Sequence, residues 1–375
     1  MGAIRHRAPV SRADVGRLTK ISPASVSAIV ADLIEEGLVR EEGHSPAELG
    51  RPGRLLRFAD GLLYLGCDLA SAEGMRVGLM RLTGELIESA MLPWPARGMS
   101  PERVTRTISD YLIDATHRHM PARIVAAGIG VPGIIEQPDG FIRTAPLLGW
   151  ADVDLGEIVH ARLSIPVVID NDVKLALAAE VDQGAAADAR YVVFLAFAEG
   201  IGGAVLVDGK IYRGRGSAGE VGYIVTDAAG SAGAYQEVGF FENRIYELIA
   251  EEAKREGINT ADYDEQTARL IHLMHASRGS LTFSAETETE FTRTIAAALA
   301  SAVALLDPEV VLLSGWIELA GERLIGRIVD ELGRLVPSVP EVRLAAVGPN
   351  AVVIGGALAA CQNSLAGVQV VEARI

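Results

Sequence analysis

Residues 191–212 read YVVFLAFAEGIGGAVLVDGKIY. An apolar run closes in Gly200, Gly202 and Gly203 and then resumes, and Asp208-Gly209 is a dipeptide that turns a two-residue β-hairpin. Glycines this closely spaced between strands let a backbone approach a phosphate. Yet Glu199 sets a carboxylate at the mouth of the loop. The same layout occurs earlier, as LLYLGCDLA at 62–70 and MRVGLMRLTGELIES at 75–89, with Thr83-Gly84 as the turn. Both copies carry Ala-Glu-Gly, at 72–74 and 198–200. A repeated alternation of strands and helices predicts two similar α/β lobes, and the cleft between lobes is where small ligands usually bind.

The chain has 375 residues, enough for more than one domain, and its 49% hydrophobic content and mean hydropathy of +0.26 predict a well-packed core. The longest apolar run, TIAAALASAVALL at 294–306, is short for a bilayer and reads as a buried helix, so no membrane partner is expected. The opening MGAIRHRAPVSRAD has no apolar segment of the kind that directs export. Cys67 and Cys361 lie far apart in apolar surroundings, which predicts no disulfide and a cytoplasmic location. A net charge of −15 excludes a wholly basic nucleic-acid binder. The charge is uneven, however: residues 1–60 hold nine Lys/Arg against eight Asp/Glu, so the acidity belongs to the rest.

Those first 60 residues carry two helix starts in quick succession. Ser11 can cap RADVGRLT with Asp14 three residues on, and Ser22 followed by Pro23 is a second start. The second helix sets Val26, Ile29, Val30, Leu33 and Ile34 on one apolar stripe and stops at Gly37. Two strand-like runs, LVREE and RLLRFA, follow around the Gly/Pro-rich GHSPAELGRPG. Helix, turn, helix and ribbon predict a winged helix-turn-helix over 1–60, with Arg51 and Arg54 at the wing tip suited to phosphate or minor-groove contact. The exposed face of the second helix offers Ala24, Ser25, Ser27, Ala28 and Ala31, with Ser22 at its start. None of these makes a bidentate base contact, so specificity is expected from hydroxyls, methyls and the wing. Residues 1–10 are too few for the further helix such heads usually have, and the head is expected to be truncated.

The chain resembles the ROK family (repressors, open reading frames and sugar kinases), in particular its transcription-regulator branch. The resemblance rests on the order and spacing of SRADVGRLTKISPASVSAIVADLIEEGLV, GRPGRLL, GIGVPGII, APLLGW, PVVIDNDVKLALAAE, GIGGAVLVDGKIYRG, AGEVGY and LLDPEVVLLSG. It implies a winged head followed by a two-lobed, actin-like, ribonuclease-H-like α/β sugar-kinase fold over 61–375. The lobes are expected at about 61–172 with the C-terminal helix, and at 173–345. It further implies that Asn171 and Asp172 contact sugar hydroxyls, Asp172 standing where the kinases keep their base, and that Glu220 and, less directly, Glu237 bind sugar. Read from chemistry alone, Asn171-Asp172 is equally a helix cap.

Several positions depart from the family pattern. Tyr223 replaces a histidine that meets the sugar and can bind zinc, and TDAAGSAGAYQE lacks Cys and His, so no zinc is expected. Leu147 stands where many relatives have Asn. The turn after Asp68 holds Ala70, Ser71 and Glu73 where kinases have Gly and Thr. Glu199 replaces a phosphate-cradling Thr, and Trp316 is expected to crowd the adenosine side. On this reading Gly200, Gly202 and Gly203 are a structural remnant, no ATP is expected, and the chain is not an enzyme. The expected protein is a sugar-sensing regulator of operator DNA, a repressor, forming a homodimer or higher homo-oligomer whose ligand shifts the spacing of two heads. A working sugar kinase with an accessory head is the alternative.

Overall fold

The computed structural model describes residues 9–44, 54–71, 74–93, 98–226, 240–255 and 283–366. The chain divides into two compact units, Met1–Leu175 with Val352–Ile375, and Ala176–Ala351.

The first unit begins with β1 (Val10–Ser11), α1 (Arg12–Thr19), α2 (Pro23–Glu35), β2 (Val39–His44) and β3 (Arg54–Phe58). Both helix starts form as the capping residues dictate. Ser11 Oγ accepts from Asp14 N at 3.2 Å while Asp14 accepts from Ser11 N at 3.0 Å, and Ser22 Oγ accepts from Ser25 N at 3.2 Å. Val26, Val30 and Leu33 are buried, whereas Ala24, Ser25, Ser27, Ala28 and Ala31 are exposed. Gly37 ends the helix at φ +71°, a conformation that favours glycine. The strand Val10–Ser11, which the sequence did not signal, pairs with β3 and gives a three-stranded antiparallel sheet of order β1-β3-β2. Arg51 lies outside the described residues, as do residues 1–8, where the truncated helix was expected.

The larger sheet of this unit is built from β4 (Leu62–Asp68), β5 (Met75–Arg81), β6 (Leu86–Leu92), β7 (Arg123–Val131) and β11 (Val167–Asn171), in the order β11-β7-β4-β5-β6. Between them come α3 (Pro101–His119), a small sheet of β8 (Ile134–Glu136), β9 (Phe141–Ala145) and β10 (Trp150–Asp154), and α4 (Leu155–His160). β4, β5 and β6 are antiparallel neighbours, while β4, β7 and β11 run parallel. Strands covered on both faces read as continuous apolar runs, as in LLYLGC and RIVAAGIGV. The C-terminal helix, Ala351–Ala366, lies so close that a Cβ on Gly66 would meet Val353 O at 1.9 Å and one on Gly128 would meet Gly356 O at 2.0 Å.

Helix α5 (Asp172–Gln183) leads out of β11. The second unit then holds β12 (Val192–Phe197), β13 (Ile201–Val207), β14 (Lys210–Tyr212), α6 (Phe241–Arg255), α7 (Ala285–Leu306), β15 (Val310–Gly315), α8 (Gly321–Leu332) and β16 (Glu341–Leu344). Its sheet order is β14-β13-β12-β15-β16, strand for strand the order of the first unit, with the same mixture of antiparallel and parallel pairs. The repeat in the letters is therefore a repeat in topology. Asp208 and Gly209 turn the β13–β14 hairpin with φ of +53° and +73°, both positive as a type I′ turn requires. The apolar run at 294–306 lies in the 22-residue helix α7, which by length and composition is the one described helix apolar enough to cross a membrane. Its Phe291, Ile295 and Leu299 are buried in the cluster that includes Phe241, Ile245 and Leu313.

Candidate functional site

The carboxyl ends of β4 and β11 carry the buried polar residues Asp68, Asp170 and Asn171 of the first unit. Backbone pairing sets Asp68 beside Gly130 and Gly130 beside Asp170, so three neighbouring strands place two carboxylate residues in one row. Both are buried. Asp170 was given no role by the sequence reading. Its one signal is the row it shares with Asp68, and that row exists only once the strands have paired.

Asn171 is the helix cap that its chemistry allowed. Its Oδ1 accepts from Lys174 N at 3.0 Å, and its Nδ2 donates to Gly133 O and to Asp172 Oδ1, each at 3.1 Å. With three of its bonds satisfied, Asn171 holds the Asp172 carboxylate in one orientation at the first turn of α5. Asp172 is half-buried, so a hydroxyl-bearing ligand could reach it. An acidic residue at this position also complements the helix dipole. Lys174 is buried one turn on and was likewise missed by the sequence reading.

Asp68 is only 6% exposed, and its Oδ1 accepts from Ala70 N at 2.8 Å. Burial pushes its carboxyl up to about 6, opposed by the Ala70 N–H and by Arg76. In the unfolded chain the group ionises near 3.8, so the folded state binds the extra proton between those values. Stability from this group is therefore greatest below pH 4 and declines as pH rises to about 6. We expect Asp68→Asn to raise the unfolding free energy at pH 7.5 by about 1–3 kcal/mol and to give no gain below pH 4. Urea titrations of both proteins across that range check this, and an equal change at every pH would refute it.

In the second unit the glycine-rich loop is held by the protein itself. Tyr246 donates to Glu199 O at 2.9 Å, Trp316 Nε1 donates to Ala198 O at 3.1 Å, and Ile201 N donates to Glu242 Oε2 at 3.1 Å. Gly203 and Gly219 lie back to back: a Cβ on either would meet the other's carbonyl oxygen, at 2.7 Å and 2.3 Å. Gly203 is thus required by the chain segment that delivers Glu220. The Trp316 ring packs edge-on to Phe197 at 5.0 Å between centroids and also near Phe291 at 6.3 Å, half-buried against the core.

Glu220 is half-buried at the start of a short 3-10 turn, Val221–Tyr223, and Tyr223 is exposed. Leu147 sits half-buried in another such turn, Pro146–Leu148. The structure thus brings Asn171 to Asp172 in the first unit and Glu220 to Tyr223 in the second. Glu237 and Glu73 lie outside the described residues, as does most of TDAAGSAGAYQE. Among the described residues no group of three or more His, Cys, Asp or Glu is placed to hold a metal ion.

Two mixed sheets of identical strand order, with acidic residues at parallel strand ends, define an actin-like α/β sugar-kinase fold. The chain belongs to the ROK family, which its residues 66–365 match. A putative xylose repressor of Caldicellulosiruptor sp. (strain Rt8B.4) is 28% identical over 87% of this chain and 83% of its own. Among solved structures, a ROK family transcriptional regulator described as a homologue of the E. coli MLC protein superposes with a TM-score of 0.76 at 21% identity, covering 96% of this chain and 94% of its own. A ROK family glucokinase from Streptomyces griseus, solved with glucose and AMPPNP, superposes with a TM-score of 0.65 at 23% identity, covering 80% of this chain and 99% of its own.

That last structure corrects the expectation of no ATP. A protein of this fold takes an ATP analogue, so the fold itself gives no ground for expecting that a nucleotide is absent. The physical reason is that such loops bind phosphate largely through backbone N–H groups and shape. Here the loop keeps its hairpin form, and Trp316 is packed against Phe197 and Phe291.

Proposed function

We propose that the chain is a transcriptional regulator, a repressor, whose N-terminal 60 residues are a winged helix-turn-helix that binds operator DNA and whose sugar-kinase-like body senses a sugar or sugar derivative. The observation that carries this reading is the capped helix pair α1–α2 followed by the β2–β3 ribbon. The shares of the chain covered agree with it: the glucokinase accounts for 80% and the regulator for 96%. Asn171, Asp172 and Glu220, with Tyr223 and Glu237, are the proposed sugar contacts. Ser22, Ala24, Ser25, Ser27, Arg51 and Arg54 are the proposed DNA contacts. Effector binding acts by linkage: a ligand with unequal affinity for two states of the protein shifts DNA affinity by the same free energy. A dimer suits a palindromic operator, because one small head makes few phosphate contacts.

The test is binding of the 375-residue protein to the DNA upstream of its own gene, against an unrelated duplex, over a salt series. Selective binding is expected, with log K falling linearly in log salt at about −0.9 per phosphate neutralised. D-xylose and D-glucose are the first effectors to try, from the names of the relatives. No selectivity at any salt would refute the regulator. ATP-dependent phosphorylation of either sugar would favour the second reading, an active kinase with an accessory head, for which Asp172 is the candidate base.

A further inference from the structure

Among the described residues of the N-terminal 60, each of the five arginines is paired with a carboxylate. Arg12 and Arg54 both meet Glu41, the latter at 3.1 Å. Arg40 meets Asp60 at 2.7 Å and Glu42 at 3.4 Å, Arg57 meets Glu42 at 3.5 Å, and Arg17 pairs with Asp14. Glu41 differs from the other carboxylates. Its side chain is only 20% exposed and lies between two guanidinium groups, one from the start of α1 and one from the wing strand, which is 64% exposed. Hydrogen bonding to Arg12, outweighing the cost of burial, and the charges of Arg12 and Arg54 hold its carboxyl below the usual range. It is therefore ionised wherever DNA could bind.

We propose that Glu41 limits the affinity of this head for DNA by occupying Arg12 and Arg54 in place of backbone phosphates. This rests on the DNA-binding reading above and adds to it a residue that acts against binding. The chemistry is direct competition: a carboxylate and a phosphate offer a guanidinium the same charge-assisted bonds, and a cation already neutralised releases no counterion from the duplex. Sequence-independent attraction is weakest where the cations are internally paired. Discrimination then falls to contacts made only on the right site, such as those of the Ser/Ala face of α2. Binding to the operator exchanges Glu41 for phosphate at Arg54; binding elsewhere leaves the pair closed.

The experiment compares the full chain with Glu41→Gln and with Glu36→Gln, which removes the same charge from an exposed position at the end of α2. Binding to upstream DNA and to an unrelated duplex is measured from 50 to 300 mM salt, with thermal melts to confirm that each protein is folded. We expect Glu41→Gln to bind the unrelated duplex about tenfold more tightly at low salt, with a salt slope steeper by about one to two. Its preference for upstream DNA should narrow. Adding Arg54→Gln should remove most of the gain, and this double variant keeps the test informative if Glu41→Gln alone melts early. If the parent binds selectively but Glu41→Gln gains no more than Glu36→Gln, Glu41 is only a structural ion-pair partner and the inference is overturned. If neither binds DNA selectively, the regulator reading fails and this inference with it.

Discussion

Alanine at Gly128 is expected to yield little or no folded protein. The added methyl would stand 2.0 Å from Gly356 O and 2.4 Å from its carbonyl carbon, so the obstacle is helix backbone and cannot rotate away. Lifting the C-terminal helix would also disturb its contacts at Gly66 with Val353 and at Gly355, where a Cβ would meet Leu175 O at 1.8 Å. Overpacking relieved by side-chain motion costs about 1–3 kcal/mol, and a backbone clash in the centre of a core exceeds about 4 kcal/mol. That is a large part of the roughly 5–15 kcal/mol that holds a typical domain folded. Gly326→Ala is the control. Gly326 is exposed in α8 with nothing within 4 Å of its Cβ position, so alanine there should add about 0.5–1 kcal/mol through helix propensity. Soluble yield and urea midpoints decide the matter. A Gly128→Ala protein within 1 kcal/mol of the parent would show that the helix does not lie on the sheet as described.

The second large effect is expected at Asp172. Asparagine there keeps the side chain's size and can still accept from Asn171 Nδ2, so the fold should change little. What is lost is the anionic acceptor for a sugar hydroxyl. A charged hydrogen bond contributes about 1.5–3 kcal/mol, so the concentration of D-xylose or D-glucose needed to shift melting or release DNA should rise roughly 10- to 100-fold. If the chain is a kinase, Asp172→Asn should cost about 10²–10⁴ in turnover with a smaller change in KM. An unchanged sugar response in a folded variant would remove Asp172 from the site under both readings.

Much of the local structure was legible because its causes are local. Ser11 with Asp14, Ser22 with Pro23, Asp208-Gly209 and Thr83-Gly84 act over two to four residues, and each forms the cap or turn its chemistry dictates. The Val10–Ser11 strand was not legible, being two residues long and created by its partner β3, and neither was the small sheet of β8, β9 and β10. The expectation about ATP rested on the side chains at Glu199 and Trp316, whereas loops of this kind meet phosphate largely through backbone N–H groups and shape.

By itself, the sequence determined the alternation of strands and helices, the order in which they come, and the repeat that doubles the sheet. These follow from apolar periodicity and turn chemistry, which a linear string records. Tertiary structure alone decided that Asp170 shares a row with Asp68, that Gly203 is needed for Gly219, and that Glu41 lies between Arg12 and Arg54. Each of those joins residues brought together only by strand pairing or packing, and no spacing along the chain encodes it.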